Sequence, residues 1–398
     1  MRIVLLASSG QLGGAERVVL AAAGALRTLG HQPVVFAPEE GPLLEAARGH
    51  ALECATVPMP AELAALGETA QSSVGILGGI VRTAGSALAF RAALGRALGG
   101  ARAEVLHAHG VKANLLAAWL PRRVPVIWHL HDYVGLRPAS RRLLGIAARG
   151  CDLAIAVSAD VARDARQWLP RTPVAVVHNP VDHEQFTPGG PALDLDAAAH
   201  LTRPRGLVTR IGLPAAFASW KGHAVFLEAL ARLGRSDVRG YIIGGAIYRT
   251  PNQCSADALA RRVTELGLDG RVGLTGVLND MPGAYRALDI VVHASTRPEP
   301  FGLVIPEAMA CGRLVVAVRS GGAAELFEPE VNAVGLAAAD PSLLASTLEA
   351  LLADPGRRAR IAAAARDHVL RHFSPERFAA SLGGALRLVN DGAAVAAR

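Results

Sequence analysis

Short apolar runs recur along the chain, separated by helix-length stretches in which apolar positions return every three or four residues. In the first half, Ile3–Ala7, Val34–Ala37, Val105–His107, Val126–His129, Leu153–Val157 and Val174–Val177 read as strands. Between them, Ala15–Leu29 and Leu143–Arg149 have helical periodicity. Strands that are apolar throughout, rather than at alternate positions, belong to parallel sheets covered on both faces by helices. The alternation pauses over Asn179–Arg205, where Pro180, Pro188, Gly189, Gly190, Pro191 and Pro204 crowd together, as a connection between domains would require. It restarts with Gly206–Ile211, Gly240–Gly244, Val272–Thr275, Ile290–His293 and Leu314–Val318.

The predicted fold class is therefore α/β, with two Rossmann-like, doubly wound parallel-sheet domains. Residues 1–185 form the first, 186–205 a linker and 206–372 the second; 373–398 form a C-terminal helix crossing back to the first domain. In open parallel sheets ligands sit beyond the carboxyl ends of the strands. Two such domains facing across a cleft suit the transfer of a group between two substrates.

Composition narrows the choice. The chain has 398 residues, a net charge of +7 and a pI near 9.8, a balance that suits anionic ligands. Aromatics are only 4%, and no basic run with interleaved aromatics occurs, which argues against nucleic acid as a partner. Lysine is nearly absent, Lys112 and Lys221 being the two in the chain. Cys54, Cys151, Cys254 and Cys311 form no CxxC pair, so a reducing cytoplasm fits and a zinc ribbon does not. No apolar run approaches membrane-spanning length, and Met1–Ala7 reads as a first strand rather than a leader.

Several segments carry chemistry. Ser8–Glu16 joins the first strand to the first helix through Gly13 and Gly14; such glycines let backbone N–H groups approach an anion, or simply make a tight turn. His107–Ala108–His109 and His129–Leu130–His131–Asp132 each straddle a predicted strand end. No third ligand stands at motif spacing, so histidines that hydrogen-bond sugar hydroxyls, or satisfied structural histidines, are both better readings than a metal site. Arg210 is expected to end the first strand of the second half, and Lys221 opens the following helix. Two such cations can converge on a diphosphate and stabilise its departure without a metal, or are simply surface cations of an Arg-rich chain. Glu299 and Glu307, with seven residues between them, bracket the Pro300–Phe301–Gly302–Leu303 turn. From the first turn of a helix, Glu307 can accept hydrogen bonds from ribose hydroxyls, and amides at Gly302 and Leu303 can face phosphate; alternatively Glu299 is a solvated loop residue and Glu307 complements the helix macrodipole.

Taken in order, these segments resemble the retaining glycosyltransferases of family 4, which have the GT-B fold. The resemblance runs from Gly13–Gly14 through His131–Asp132, Val176–Asp182, Arg210, Lys221–Gly222, Glu299 and Glu307 to Gly321–Gly322. It implies that Arg210 and Lys221 hold the donor diphosphate and that Glu307 binds ribose. It further implies that Glu299 lies against the sugar, that His131 lies near the anomeric carbon, and that backbone near Gly276 and Val277 meets the base. Catalysis would then rest on His131, Glu299, Arg210 and Lys221. Donor contacts would extend to Gly13, Gly14, Gly276, Val277, Phe301, Gly302, Leu303 and Glu307, and acceptor contacts to His109 and Asp132. The implied donor is a UDP- or GDP-sugar, with no metal and no further cofactor.

In two places the chain departs from or mimics another pattern. Ten residues separate Arg210 from Lys221, more than the family usually has, so Leu213–Ser219 is expected to bulge outward as an insertion. Asp194–Leu195–Asp196 looks like the metal motif of the other glycosyltransferase fold, but it falls in the expected linker and reads as incidental. The alternatives to a transferase are a sugar-nucleotide epimerase of the same fold and a non-catalytic nucleotide-sugar-binding protein. The acceptor is not legible. Met59–Gly100 is long enough for two helices and carries Arg82, Arg91 and Arg96; it reads either as an ordinary solvated segment or as a weak contact with the inner membrane surface.

Overall fold

Every strand pairing within the described residues is parallel, and the strands fall into two sheets. The computed structural model describes residues 1–60, 73–120, 124–136, 138–246 and 253–396, with side chains described except at 73–84, 138–140 and 390–396. The chain divides into one unit made of Met1–Pro180 with Pro375–Arg398 and another made of Val181–Ser374.

In the first unit the strands are β1 (Arg2–Ala7), β2 (Gln32–Ala37), β3 (Glu53–Thr56), β4 (Val105–His109), β5 (Val126–Leu130), β6 (Leu153–Ala156) and β7 (Val174–Val176), in the order β3-β2-β1-β4-β5-β6-β7. The strand order reverses between β1 and β4, so their carboxyl ends diverge and open a crevice. Burial explains why β1 forms. Ile3, Val4 and Leu5 have no exposed surface, and each such side chain removed from water contributes about 1.5–3 kcal/mol. The helix Gly14–Thr28 turns Val18, Val19, Ala22, Ala23 and Leu26 to the same core. The last helix, Pro375–Ala396, adds Phe378, Leu382, Leu386 and Val389 to it. The segment Met59–Gly100 supplies one helix, Ser73–Gly100; the other expected helix and the Arg82 side chain lie outside the described residues.

The second unit has β8 (Thr209–Pro214), β9 (Val238–Ile243), β10 (Val272–Gly276), β11 (Ile290–His293), β12 (Leu314–Val318) and β13 (Val334–Leu336), in the order β10-β9-β8-β11-β12-β13. The reversal here lies between β8 and β11. Two expectations fail in this unit. Residues 186–205 are not a free linker: Leu195 and Asp196 are buried, in a short helix, Leu195–Ala198. The strand expected at Gly206–Ile211 starts three residues later. Leu207 is fully exposed, whereas Ile211 and Leu213 are buried, and Pro214 closes the strand. Consequently Leu213–Ser219 does not bulge outward: Phe217 and Ala218 are buried too, Phe217 lying edge-on to His223.

Candidate functional site

The site of the second unit forms where the loops after β8 and β11 lock together. Gly222 makes this possible. It has φ 81°, and a Cβ there would meet the Ala294 carbonyl oxygen at 2.0 Å, so only glycine lets the two loops approach this closely. The Thr296 amide donates to the Trp220 carbonyl at 2.8 Å and fixes the register of the two loops. As a result the Lys221 ammonium donates to both carboxylate oxygens of Glu299, at 2.9 and 2.8 Å. Ser295 Oγ donates to Glu299 Oε2 at 2.8 Å, and His293 Nε2 lies 3.3 Å from the same oxygen. Burial alone would push the Glu299 carboxyl up. The Lys221 charge and the His293 contact outweigh it and hold the group far below the usual carboxylate range. Gly302, at φ 89°, passes so near that a Cβ would stand 3.2 Å from Glu299 Cγ and 3.5 Å from His293 Nε2.

Glu307 lies in the helix Val304–Ala310, partly exposed, and accepts from the Tyr285 hydroxyl at 2.9 Å. Leu303 caps that helix. Phe301 is turned inward, 3% exposed and edge-on to Phe373, so its ring packs the unit and leaves only its backbone for a ligand. Gly276 ends β10 with φ 70°, and the Val277 side chain after it is exposed.

Arg210 is not part of this arrangement. The expectation that it ends its strand is overturned, because it is the second residue of β8 and lies at the amino edge, where its backbone pairs with Asp289. At about 3.3 Å per residue, the rest of the strand places it about 13 Å from the carboxyl end. Its guanidinium donates to Asp196 Oδ2 at 3.0 Å, while Arg239 and the Tyr241 hydroxyl donate to Oδ1. Burial opposes ionisation of Asp196, but these three donors outweigh it and keep the carboxyl low. Tyr241, by burial and then by its bond to Asp196, is pushed up to about 12. Asp196 is thus the centre of a buried ion cluster rather than incidental, and Arg210 is one of its counterions. The loop that does leave the carboxyl end of β8 reads Ala215–Ala216–Phe217–Ala218 and contains no cation before Lys221.

In the first unit the four histidines form a ladder. Both members of the first pair lie within β4 rather than astride its end, so His107 and His109 share a face, and His109 pairs in register with His129 of β5. His107 Nε2 and His129 Nδ1 are 3.2 Å apart, and His109 Nδ1 and His131 Nε2 are 3.1 Å apart. Burial, with neighbouring rings adding to it at His107, His109 and His129, lowers all four. His107 falls to about 3, His131 to about 4, and His109 and His129 well below their usual value. All four are neutral at neutral pH. Ring nitrogens of His107, His109 and His129 lie within 4.8 Å of one another. Hydrogen bonds pair His107 with His129 and His109 with His131.

His131 and Asp132 border a pocket of about 490 Å³ at the β1/β4 crevice, with Ser8, Lys112 and Asn114 on its other walls. Gly110, at φ 92°, brings β4 against Ser8, whose hydroxyl donates to the His109 carbonyl at 2.7 Å. His109 itself is buried behind the lining. The Gly13 amide is already taken by Glu16, which lies 3.2 Å away and caps its own helix. An acidic side chain in that position works against a phosphate there.

The sequence reading missed His293, Ser295 and Tyr285, which hold the two glutamates, and Asn114. His293 stood at a predicted strand end, the one available signal; the others are single polar residues with no spacing to mark them.

Comparison with known proteins agrees with this architecture. Residues 210–368 match the model for "Glycosyl transferases group 1", and residues 12–185 that for "Glycosyltransferase Family 4". A D-inositol 3-phosphate glycosyltransferase of Frankia alni is 32% identical over 66% of this chain and 69% of its own length. That of Xylanimonas cellulosilytica is 39% identical over 48% of this chain; the chain spans about half of that relative's length, 46%. Among solved structures, Anabaena Alr3699/HepE in complex with UDP-glucose superposes with a TM-score of 0.76 and 26% identity, covering 97% of this chain and 99% of that one. The chain belongs to glycosyltransferase family 4 and has the GT-B fold.

Proposed function

We propose that this chain is a retaining glycosyltransferase that takes its sugar from a UDP- or GDP-sugar and needs no divalent metal. The observation that carries the reading is the Lys221–Glu299 pair, set with His293 and Ser295 at the carboxyl ends of β8 and β11. A fixed ammonium there meets the negative charge that grows on a departing diphosphate. Arg297, its guanidinium 5.6 Å from the Trp220 ring centroid, brings a second cation to the loop that carries Glu299; in this reading it takes the place expected of Arg210. The likeness to a protein solved with UDP-glucose supports a nucleotide-sugar donor. In the first unit, Asp132 and the neutral His131 border the acceptor pocket. The four free cysteines suit a cytoplasmic enzyme. Among the described residues no helix is long and apolar enough to cross a membrane.

The two glutamates divide the work. Glu307, oriented by Tyr285, binds the ribose, whose charge does not change during transfer, so its loss weakens ground and transition states alike. Glu299 faces the sugar, where positive charge develops. Glu307→Gln is therefore expected to weaken calorimetric binding of UDP or GDP about tenfold, the value of one charged hydrogen bond, with little effect on kcat. Glu299→Gln should bind free nucleotide normally and lose turnover. Equal loss of nucleotide affinity in both variants would refute this division.

A further inference from the structure

The pocket of the first unit holds two buried polar groups with nothing to bind. Asn114 lies in the helix Val111–Ala118 between the fully buried Ala113 and Ala117 and is 1% exposed. Neither its Nδ2 nor its Oδ1 has a hydrogen-bond partner. His129 is 0% exposed; His107 takes its Nδ1, and its Nε2 is also without a partner. Both residues line the pocket of about 490 Å³. A buried amide without partners destabilises the fold, and an apolar residue of similar size would be tolerated better.

We propose that Asn114, with His129 beside it, reads adjacent hydroxyls of a neutral cyclic polyol, a sugar or a cyclitol, and that this polyol is the acceptor. The inference rests on the glycosyltransferase reading and deepens it. A carboxamide offers two donor hydrogens and an acceptor oxygen at a fixed spacing, and a pair of neighbouring hydroxyls answers both at once. A phosphate or carboxylate only accepts, and would leave Oδ1 unpaired. The surrounding charge also disfavours an anion, because among the described lining residues Glu39 and Asp132 stand against the single cation Lys112. The volume is that of an ordinary small-molecule site, with room for a ring and its substituents. Sites built to bond a hydroxyl reject analogues that lack it, because the protein's own polar groups are then left unpaired. Asn114 is thus a specificity residue for the acceptor and does no work on the donor.

The test is calorimetric titration of the full chain with myo-inositol and with methyl α-glucoside, alongside separate titration with UDP and GDP. Wild type should bind at least one polyol. Asn114→Leu should bind it at least about tenfold more weakly, and the nucleotide affinity should not change. Asn114→Asp keeps the shape and the acceptor but loses the donor; it should also bind polyol weakly, and it tests the idea should the leucine variant fold poorly. Polyol affinity equal to wild type in both variants would overturn the proposal. So would failure of both polyols to bind wild type, or binding only of their phosphates regardless of residue 114. Failure of both nucleotides to bind wild type would instead overturn the transferase reading, a result the polyol titration does not depend on.

Discussion

Lys221→Met should lower kcat at saturating donor by two to three orders of magnitude. Removing one preorganised charged contact to a developing anion costs about 2.7–4 kcal/mol in the transition state, and each 1.36 kcal/mol is about tenfold in rate. The pair geometry adds a second effect. Lys221 and Glu299 are both largely buried, so loss of the ammonium leaves a carboxylate facing His293 and Ser295 without its cation. Breaking such a pair from one side costs about 3–5 kcal/mol of stability. The double variant Lys221→Met/Glu299→Gln removes that penalty and should recover much of the lost Tm while staying inactive. Arg210→Met is expected to behave in the opposite way. It breaks the Asp196 cluster at the far edge of the sheet, so Tm should fall and kcat of the folded fraction should stay near wild type. Near-normal turnover in Lys221→Met, or an Arg210 variant that folds as wild type and loses turnover, would reverse the assignments.

The histidine ladder predicts acid lability of the first unit. All four rings have pKa values lowered by burial, two of them to about 3 and about 4. The unfolded chain therefore binds protons below about pH 6.5 that the folded unit refuses, and stability drains away as pH falls from 6.5 toward 4. Near pH 5 each ring costs about 2 kcal/mol relative to neutral pH. With more than one ring held neutral, the loss takes a large share of the stability of a typical domain. Tm should be flat above pH 7 and fall steeply below 6.5, and a His107→Gln variant should show a shallower slope by one proton. A Tm that is unchanged between pH 7.5 and 5 would show that these rings take up protons in the folded state.

Much of this was legible in sequence because buried parallel strands announce themselves as continuous apolar runs. β11 and β12 were located to the residue as Ile290–His293 and Leu314–Val318. The short strands β3 and β13 escaped, since Glu53–Thr56 is half polar and Val334–Leu336 is three residues long. The error at β8 had a larger consequence. An exposed Leu207 extended the apparent run toward the amino end, and the expected strand stopped at Ile211, so Arg210 was placed at the wrong end of the sheet. Periodicity gives faces and approximate extents; the end of a strand depends on what packs over its last residues, and the side-chain pattern does not encode that. The partners of a buried carboxylate are equally non-local. Asp196 meets Arg210, Arg239 and Tyr241, and no spacing in the chain foretells it.

The central claim is that the second unit holds a nucleotide sugar through Lys221, Glu299 and Glu307 and gives its sugar up without a metal. The most direct measurement is a proton NMR time course of UDP-glucose or GDP-mannose with the enzyme, a panel of cyclic polyols and excess EDTA. The account predicts release of the free nucleoside diphosphate together with a new glycoside whose anomeric configuration matches that of the donor. A β-linked product, an epimerised sugar nucleotide, or activity that returns only when magnesium or manganese is added back would contradict it.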